Sequence, residues 1–262
     1  MSAGPDSHKV RVLAPSKINL GLEVLGQRGD GFHELDTTMV ALSLCDELEL
    51  ERTERPGVQL TVLGPSQSAD IPSDERNLAY RAAAHVLERS GADGGLGVRL
   101  TKRIPSQSGL GGASSNAAAA LAGAERTLQF SLSVEERSDL LGGLGSDCVF
   151  FEQAKGTGAA HCTGRGELVR PLAAPSPAWI VVLVCPDVHV STATIFGALD
   201  APLFVPLSGA RLKPTVSKGL TAFRAAEIQS CLRNQLEDAA ISTFPELRAW
   251  RSLFDATSGS VS

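Results

Sequence analysis

A glycine-rich loop that runs directly into an alanine-rich helix is the most constraining feature of this sequence. The loop reads Gly109-Leu110-Gly111-Gly112-Ala113-Ser114-Ser115-Asn116, and the pattern predicts a helix over about residues 114–128. Glycines let the backbone turn sharply and approach a ligand, so that several N–H groups can point at one anion. The positive end of the following helix dipole favours the same anion. The segment therefore predicts a triphosphate cradle, with an ordinary glycine-rich turn before a capped helix as the alternative.

Two common phosphate-binding motifs do not fit this loop. A P-loop ends in Gly-Lys-Ser/Thr, and no lysine occurs between Arg103 and Asn116. The dinucleotide fingerprint needs a third glycine at position 114, which is serine here. Ser114 and Ser115 instead offer hydroxyl groups that can donate to a phosphate or help to hold a magnesium ion.

Composition narrows the class of protein further. The chain has 262 residues, of which 43% are hydrophobic and 20% charged, so it can bury a substantial core without disulfides or metal. A net charge of −5 argues against broad binding to nucleic acid or anionic membranes. None of the five cysteines forms a CxxC pair and the histidines are scattered, so we expect no disulfide framework and no protein-held metal. We expect a cytoplasmic protein, because no apolar run approaches the roughly 20 residues that a membrane helix needs.

Periodicity and turn residues predict an α+β chain in two parts. The predicted strands cover residues 10–13, 18–25, 37–50, 58–63, 98–104 and 179–185. The predicted helices cover residues 74–90, 114–128, 133 to about 143, a segment from about 192, and 217–225, 227–238 and 245–256. A stretch rich in proline and small residues, 170–178, is the candidate linker between a domain of residues 1–170 and one of residues 171–262.

Several blocks of the sequence resemble the GHMP kinases. The loop with its flanks, from Pro105 to Ala117, resembles the phosphate-binding motif of that superfamily. The N-terminal APSKINLGLEVLGQRGDGFHEL resembles the branch that phosphorylates the 2-hydroxyl of a 4-diphosphocytidyl-methylerythritol substrate in non-mevalonate isoprenoid synthesis. DERNLAYRAA, LGSDCVFF, CTGRGE and VSTATIF follow in the same order as in that branch.

The resemblance implies a fold and a set of partners. The fold is a two-domain GHMP kinase fold, with an N-terminal domain like domain 2 of ribosomal protein S5 and a C-terminal α/β-plait. ATP, with Mg²⁺, and a small-molecule substrate would meet in the cleft between the two domains. Neither nucleic acid nor membrane is expected as a partner, and the protein is expected to be a monomer or a weak homodimer.

The resemblance also assigns catalytic roles. Asp147 stands at the position of the catalytic aspartate, and Lys17 is implied to approach Asp147 and the transferred phosphoryl group. The alternatives are an aspartate that caps a turn and a solvated lysine at a strand edge. A lone lysine between two apolar strand pieces is costly unless it is paired, which favours the catalytic interpretation.

The remaining assignments divide between two ligands. Those of the nucleotide site are Pro105, Gly109, Leu110, Gly111, Gly112, Ala113, Ser114, Ser115 and Asn77. Those of the substrate site are Asn19, Phe32, His33, Thr192 and Phe196. In this interpretation Phe32 and Phe196 sandwich the cytosine base and His33 fixes its polar edge. The alternatives are structural: Phe196 packs in the core, Asn77 caps a helix, and Asn19 is an ordinary polar residue of a strand.

Three departures from the family pattern leave another function open. Ala113 replaces a glycine of many relatives, and Cys148-Val149 replaces the more usual Val-Pro beside Asp147. The third glycine-rich motif of the family is represented only by Ser258-Gly259-Ser260, so we expect an incomplete C-terminal plait. The alternatives are a degenerate relative that binds nucleotide or a partner without catalysis, and a GHMP kinase for another alcohol.

Overall fold

The described part of the chain folds around one mixed sheet of seven strands, in an α+β arrangement. The computed structural model describes residues 9–65, 70–174, 178–186, 188, 190–199, 201–203 and 232–257. The strands are β1 (Val10–Gln27), β2 (His33–Thr53), β3 (Gly57–Leu63), β4 (Gly95–Thr101), β5 (Ala159–Gly164), β6 (Leu168–Pro171) and β7 (Arg233–Asn234). The helices are α1 (Leu78–Ser90), α2 (Gly112–Leu128), α3 (Val134–Leu144), α4 (Ser146–Gln153), α5 (Thr192–Gly197), α6 (Glu237–Thr243) and α7 (Leu247–Thr257).

Strand β2 is the centre of the sheet. It pairs antiparallel with β1 along most of its length, with β5 through residues 35–40 and with β4 through residues 47–53. β3 extends the sheet beyond β4 in parallel, β6 pairs antiparallel with β5, and β7 adds in parallel to β1. The middle of β1 and the first half of β2 therefore lie inside the sheet, where a charged side chain has little access to water.

Helices α1 and α2 pack together against the sheet through small residues. α1 buries Ala79, Ala82, Ala83 and Val86, which share one face, as the sequence predicts. α2 buries a nearly continuous alanine run, and a Cβ on Gly123 would lie only 2.3 Å from a methyl carbon of Leu50. Small residues thus let α2 lie close to the sheet, which fixes the position of the glycine-rich loop at its N-terminus.

Most predicted elements are present with shifted ends, and α4 was not predicted. The predicted strand over 179–185 is wrong: these residues adopt no regular structure, and no strand among the described residues pairs with them. An apolar run becomes a strand only where a partner supplies hydrogen bonds, and Ile180 is 96% exposed here. The predicted helix over 227–238 is also wrong in its described part, because Arg233–Asn234 forms β7 and α6 begins at Glu237.

Some predictions fall on residues outside the described part of the chain. These are the helix over 217–225, the start of that over 227–238, and Ser258-Gly259-Ser260. The division into domains of residues 1–170 and 171–262 stays a prediction. Within the described ranges, no helix is long and apolar enough to cross a membrane.

Candidate active site

A cavity of about 1700 Å³ lies where β1 and β2 meet the glycine-rich loop, the start of α4, the β5–β6 turn and the segment around α5. Twelve of the sixteen predicted site residues line it: Lys17, Asn19, Phe32, His33, Pro105, Gly109, Leu110, Gly111, Ser114, Asp147, Thr192 and Phe196. The other four, Asn77, Gly112, Ala113 and Ser115, lie outside this lining. The structure therefore brings most of the predicted residues to one place, although they are distant in the sequence.

The glycine-rich loop takes a conformation that needs glycine at two positions. Gly109 and Gly111 have φ angles of +72° and +71°, in the left-handed region that other residues rarely adopt. A Cβ on Gly111 would also lie 3.0 Å from Cγ of Lys17 and 3.1 Å from the ring of Phe151. Gly111 is the N-cap of α2, whose first N–H groups have no acceptor within the helix. The loop thus presents backbone donors and the positive helix end beside the cavity, as a phosphate requires.

The first turn of α2 divides the serines between the cavity and the core. The side chain of Ser114 lines the cavity, whereas that of Ser115 is buried, and its hydroxyl has no hydrogen-bond partner in the structure. Ala113 lies inside α2, where alanine is the most favourable residue. The replacement of a glycine at this position is therefore compatible with the loop.

Asn77 caps helix α1 in this structure. Its side-chain oxygen accepts from the N–H of Ala79 at 2.9 Å, and its amide nitrogen donates to the carbonyl of Pro72 at 2.8 Å. Both polar ends of the side chain are therefore satisfied within the protein. This geometry matches the alternative interpretation of Asn77 as a helix cap, and a role in nucleotide binding stays a prediction.

Lys17 and Asp147 form an ion pair at the floor of the cavity. Nζ of Lys17 lies 3.3 Å from Oδ2 of Asp147, and the two side chains are 8% and 29% exposed. A register shift in β1 between Pro15 and Lys17 interrupts its pairing with β2. The N–H of Lys17 is thereby available to donate to the carbonyl of Leu110 at 2.9 Å, which ties the strand to the glycine-rich loop.

The other end of the ion pair is placed by α4. Asp147 lies in the first turn of this helix, so the positive end of the helix dipole stabilises its negative charge. Val149 is buried in α4 and packs in the main core. The aim of the Asp147 side chain is therefore set by a packed helix, and a proline at position 149 is not needed to hold it.

A chain of hydrogen bonds fixes the direction of the Lys17 ammonium. Nζ of Lys17 donates to Oδ1 of Asn19 at 2.7 Å, and Nδ2 of Asn19 donates to Oγ1 of Thr37 at 2.7 Å. The hydroxyl of Thr37 in turn donates to the carbonyl of Gly21 at 2.7 Å. Lys17 and Asn19 thus share one side of β1, as their spacing predicts. Sequence reasoning missed Thr37, because the pairing of β1 with β2 brings it there.

A second buried ion pair lies beneath the loop, and sequence reasoning missed it as well. The ammonium of Lys102 contacts the carboxylate of Asp46, and the two side chains are 6% and 0% exposed. Oδ1 of Asp46 also accepts from the N–H groups of Arg103 at 2.6 Å and Ile104 at 2.8 Å. A Cβ on Gly112 would lie 3.3 Å from Nζ of Lys102, so the pair supports the start of α2. Asp46 and Lys102 each stand among other charged residues of their strand segments, so nothing in the sequence singles out this pair.

Three aromatic rings also line the cavity, those of Phe32, His33 and Phe196. The rings of His33 and Phe196 are stacked with centroids 5.1 Å apart and an angle of 30° between their planes. Phe32 is 52% exposed, and the guanidinium of Arg165 lies 4.7 Å from the centroid of its ring. Arg165 belongs to the CTGRGE block, and the sequence alone predicts no role for it. The sandwich of a base between Phe32 and Phe196 stays a prediction.

Comparison with known proteins identifies the family. Residues 77–154 match the GHMP kinases N terminal domain. A 4-diphosphocytidyl-2-C-methyl-D-erythritol kinase of Shouchella clausii is 39% identical over 241 residues, which cover 91% of this chain and 76% of the relative. The chain belongs to the 4-diphosphocytidyl-2-C-methyl-D-erythritol kinase family. A relative of the same name from Geobacillus kaustophilus is 35% identical over 243 residues, with 91% and 79% of the two chains covered.

Solved structures agree with this assignment. A crystal structure of 4-(cytidine 5'-diphospho)-2C-methyl-D-erythritol kinase is 32% identical, with a TM-score of 0.67 and coverage of 94% of this chain and 83% of that one. A homoserine kinase from Cytophaga hutchinsonii, 20% identical with a TM-score of 0.55, covers 79% of this chain and 64% of that one and shares the fold. The prediction of an α+β GHMP kinase fold is confirmed.

Two buried thiols lie next to the ion pair. Burial, with a smaller contribution from the nearby charge of Asp147, raises the pKa of Cys148 to about 11 and that of Cys162 to about 12. The thiol of Cys148 is hydrogen-bonded to the side chain of Ser114. Both thiols therefore stay protonated at neutral pH, and a protonated thiol is a poor nucleophile. Cys148, which replaces the more usual valine of the family, fills a core position without adding a reactive group.

We expect alkylation to distinguish these thiols from Cys185, which is exposed. In native protein at pH 7.5, iodoacetamide should label Cys185 at least about tenfold faster than Cys148 or Cys162, because only thiolates that reach solvent react. Peptide mass spectrometry after timed quenching measures each rate. Unfolding in guanidinium should make the rates equal, and fast native labelling of Cys148 would contradict its buried position.

Proposed function

We propose that this chain is an ATP-dependent kinase that phosphorylates the 2-hydroxyl of 4-diphosphocytidyl-2-C-methyl-D-erythritol, in the cytoplasm, as a step of non-mevalonate isoprenoid synthesis. The observation that carries the proposal is the Lys17–Asp147 ion pair, which lies with the glycine-rich loop in a cavity that also holds Phe32, His33 and Phe196. Membership of the kinase family named above supports the same acceptor. In this proposal, residues 1–170 and 171–262 are the two domains that bound the cleft.

Asp147 is the proposed proton acceptor for the 2-hydroxyl. A positioned carboxylate that removes a proton in the transition state contributes about 10² to 10⁴ in rate. Lys17 keeps the carboxylate in place through the 3.3 Å contact and offsets the negative charge of the transferred phosphoryl group. The bonds from Lys17 through Asn19 to Thr37 prevent the ammonium from swinging away. The charge is thus positioned before the substrate binds.

The glycine-rich loop is the proposed site for the phosphates of ATP. Phosphoryl transfer depends mainly on positioning and on neutralisation of charge, and the loop offers backbone donors at the positive end of α2. Mg²⁺ prefers hard oxygen ligands and commonly uses one or two protein groups beside the phosphates. The Ser114 hydroxyl lines the cavity and is such a group. When bound with the nucleotide, the ion would neutralise part of the negative charge of the phosphates.

The aromatic part of the cavity is the proposed cytidine pocket. Phe32 offers a half-exposed ring. The rings of His33 and Phe196, which pack against each other, offer an apolar surface, to which His33 adds polar ring nitrogens. Bases stack readily on such surfaces. Thr192, at the start of α5, lines the same cavity and brings a hydroxyl to it.

An acceptor panel tests this proposal. Purified chain with Mg-ATP is incubated in parallel with 4-diphosphocytidyl-2-C-methyl-D-erythritol, homoserine and mevalonate, and release of ADP is followed. We expect turnover with the first acceptor, at a rate far above that with either of the others. Activity on homoserine or mevalonate alone would overturn the proposal in favour of a kinase for another alcohol. ATP binding without transfer to any acceptor would favour a non-catalytic relative.

Replacement of Phe32 tests the cytidine pocket. We expect Phe32→Ala to raise the KM for the cytidine substrate by about 5- to 150-fold, because one stack of a base on an aromatic ring is worth about 1–3 kcal/mol. The KM for ATP should stay within about twofold, since the loop is untouched. Steady-state kinetics with each substrate varied in turn measure both constants. The control is Phe130→Ala, which removes a partly buried ring that packs against the core. If Phe32→Ala changes both KM values equally, Phe32 contributes to packing and not to the cytidine pocket.

A further inference from the structure

We propose that Arg165, in the turn between β5 and β6, binds the diphosphate group of the cytidine substrate. This inference rests on the proposed function, because it concerns the acceptor named there. It starts from the position of the side chain: Arg165 lines the cavity, and its guanidinium lies over the ring of Phe32 at 4.7 Å from the centroid. Arginine binds diphosphates well because its planar group makes paired hydrogen bonds to phosphate oxygens.

The turn is built to hold Arg165 in place. Gly164 and Gly166, on either side of it, have φ angles of +70° and +108°. The carboxylate of Glu167 folds back over the turn, where it accepts from the N–H of Arg165 at 2.5 Å and lies 3.7 Å from its Nε. Both φ angles lie in the left-handed region, which favours glycine at these two positions. A charged loop residue is thereby fixed at the wall of the cavity.

The position of the turn corresponds to the middle of the substrate. One side of Arg165 reaches Phe32 in the proposed base pocket. On the other side, a Cβ on the adjacent Gly166 would lie 3.8 Å from Oδ1 of Asp147, the proposed proton acceptor. In the substrate, the diphosphate joins the cytidine to the methylerythritol that carries the reacting hydroxyl. A substrate bound at both ends therefore places its diphosphate beside this turn.

Charge in the cavity favours the same assignment. Among the described residues that line it, the lysines and arginines are Lys17, Arg165 and Arg251. Lys17 is paired with Asp147, and Arg251 contacts Glu237. Arg165 is near two carboxylates, those of Glu167 and Asp30, but its side chain remains 30% exposed, and only its Nε approaches Glu167. A diphosphate adds negative charge at this place, and Arg165 is the cation positioned to meet it.

Binding of two ligands that differ only in the phosphates tests the inference. Cytidine and cytidine diphosphate are titrated calorimetrically into wild-type protein, Arg165→Gln and Arg165→Lys, with a non-hydrolysable ATP analogue filling the nucleotide site. We expect Arg165→Gln to weaken binding of cytidine diphosphate by about 10- to 100-fold, as loss of a hydrogen bond to a charged group does, and that of cytidine by less than threefold. Arg165→Lys should lose less, because it keeps the charge but not the paired geometry.

Arg170→Gln is the matched control. Arg170 lies on the exposed strand β6 of the same hairpin and does not line the cavity, so its replacement removes a positive charge away from the site. This variant should bind both ligands like the wild type. If Arg165→Gln weakens the binding of cytidine and of cytidine diphosphate equally, Arg165 only supports the ring of Phe32 and the inference is overturned. Unchanged binding of both ligands would overturn it as well. Turnover of the wild-type protein is measured separately. If the wild type does not phosphorylate the cytidine substrate, the proposed function is overturned. If it does, but Arg165→Gln shows equal losses or unchanged binding of both ligands, only the role of Arg165 is overturned.

Discussion

Asp147→Asn is expected to lower kcat by about 10² to 10⁴, the usual contribution of a positioned general base. The amide is nearly the same size as the carboxylate, so the first turn of α4 and its packing should be unchanged. The KM for ATP should stay within a few-fold, because the glycine-rich loop lies on a different element. Steady-state kinetics with saturating acceptor measure the effect, and a thermal melt of the variant shows that it is folded.

Asp139→Asn is the control for this prediction. Asp139 is an exposed residue of α3, so its replacement makes the same change of charge away from the cavity. It should leave kcat within about twofold of the wild type, as surface substitutions generally do. If Asp147→Asn keeps more than about a tenth of wild-type activity, Asp147 is not the base, and its pairing with Lys17 has a structural purpose.

Asp46→Ala is expected to have the largest effect on stability, a loss of about 3–5 kcal/mol in the free energy of unfolding. The substitution leaves the ammonium of Lys102 buried without its counter-ion and removes the acceptor of two backbone N–H groups. Chemical denaturation measures the loss. The double variant Asp46→Leu with Lys102→Met should recover part of it, because no unpaired charge then remains in the core.

Asp74→Ala is the control, since it also breaks an ion pair, with Arg76, but at the surface. The pKa of Asp74 is lowered to about 2 by its hydrogen bonds with Arg76, yet exposed pairs contribute only about 0–1 kcal/mol. A loss for Asp46→Ala no greater than that for Asp74→Ala would contradict the account of the buried pair. It would mean that water or a rearranged Lys102 side chain relieves the charge.

The elements that the sequence predicts well are those whose signals are local. The capping box of Ser133 with Glu136 is present at the start of α3, and Gly91 ends α1 in the left-handed conformation. The glycine-rich loop and α2 are found where the pattern places them, because glycines and a helix start act over a few residues. The two-domain fold followed from the resemblance to the family and not from periodicity, and the order of the strands was not predicted.

The parts that the sequence does not predict depend on contacts between distant residues. The Asp46–Lys102 pair joins residues 56 positions apart, and Thr37 reaches Asn19 only through the register of β1 and β2. Arg165 lies on Phe32 because β5 pairs with the first half of β2. Local sequence patterns do not predict such contacts between distant residues. The apolar run at 179–185 shows the same limit, since its composition suggests a strand but no strand among the described residues pairs with it.

The proposed reaction transfers the γ-phosphoryl group of ATP to one hydroxyl of the cytidine substrate, the 2-hydroxyl. The most direct measurement is NMR of the product, formed from acceptor labelled with ¹³C in the methylerythritol and followed by ³¹P and ¹³C spectra. We expect one new phosphate resonance that is coupled to the carbon bearing the 2-hydroxyl, and one ADP released for each molecule of phosphorylated product. A phosphate on another hydroxyl, or release of ADP and inorganic phosphate without a phosphorylated acceptor, would contradict the proposed reaction.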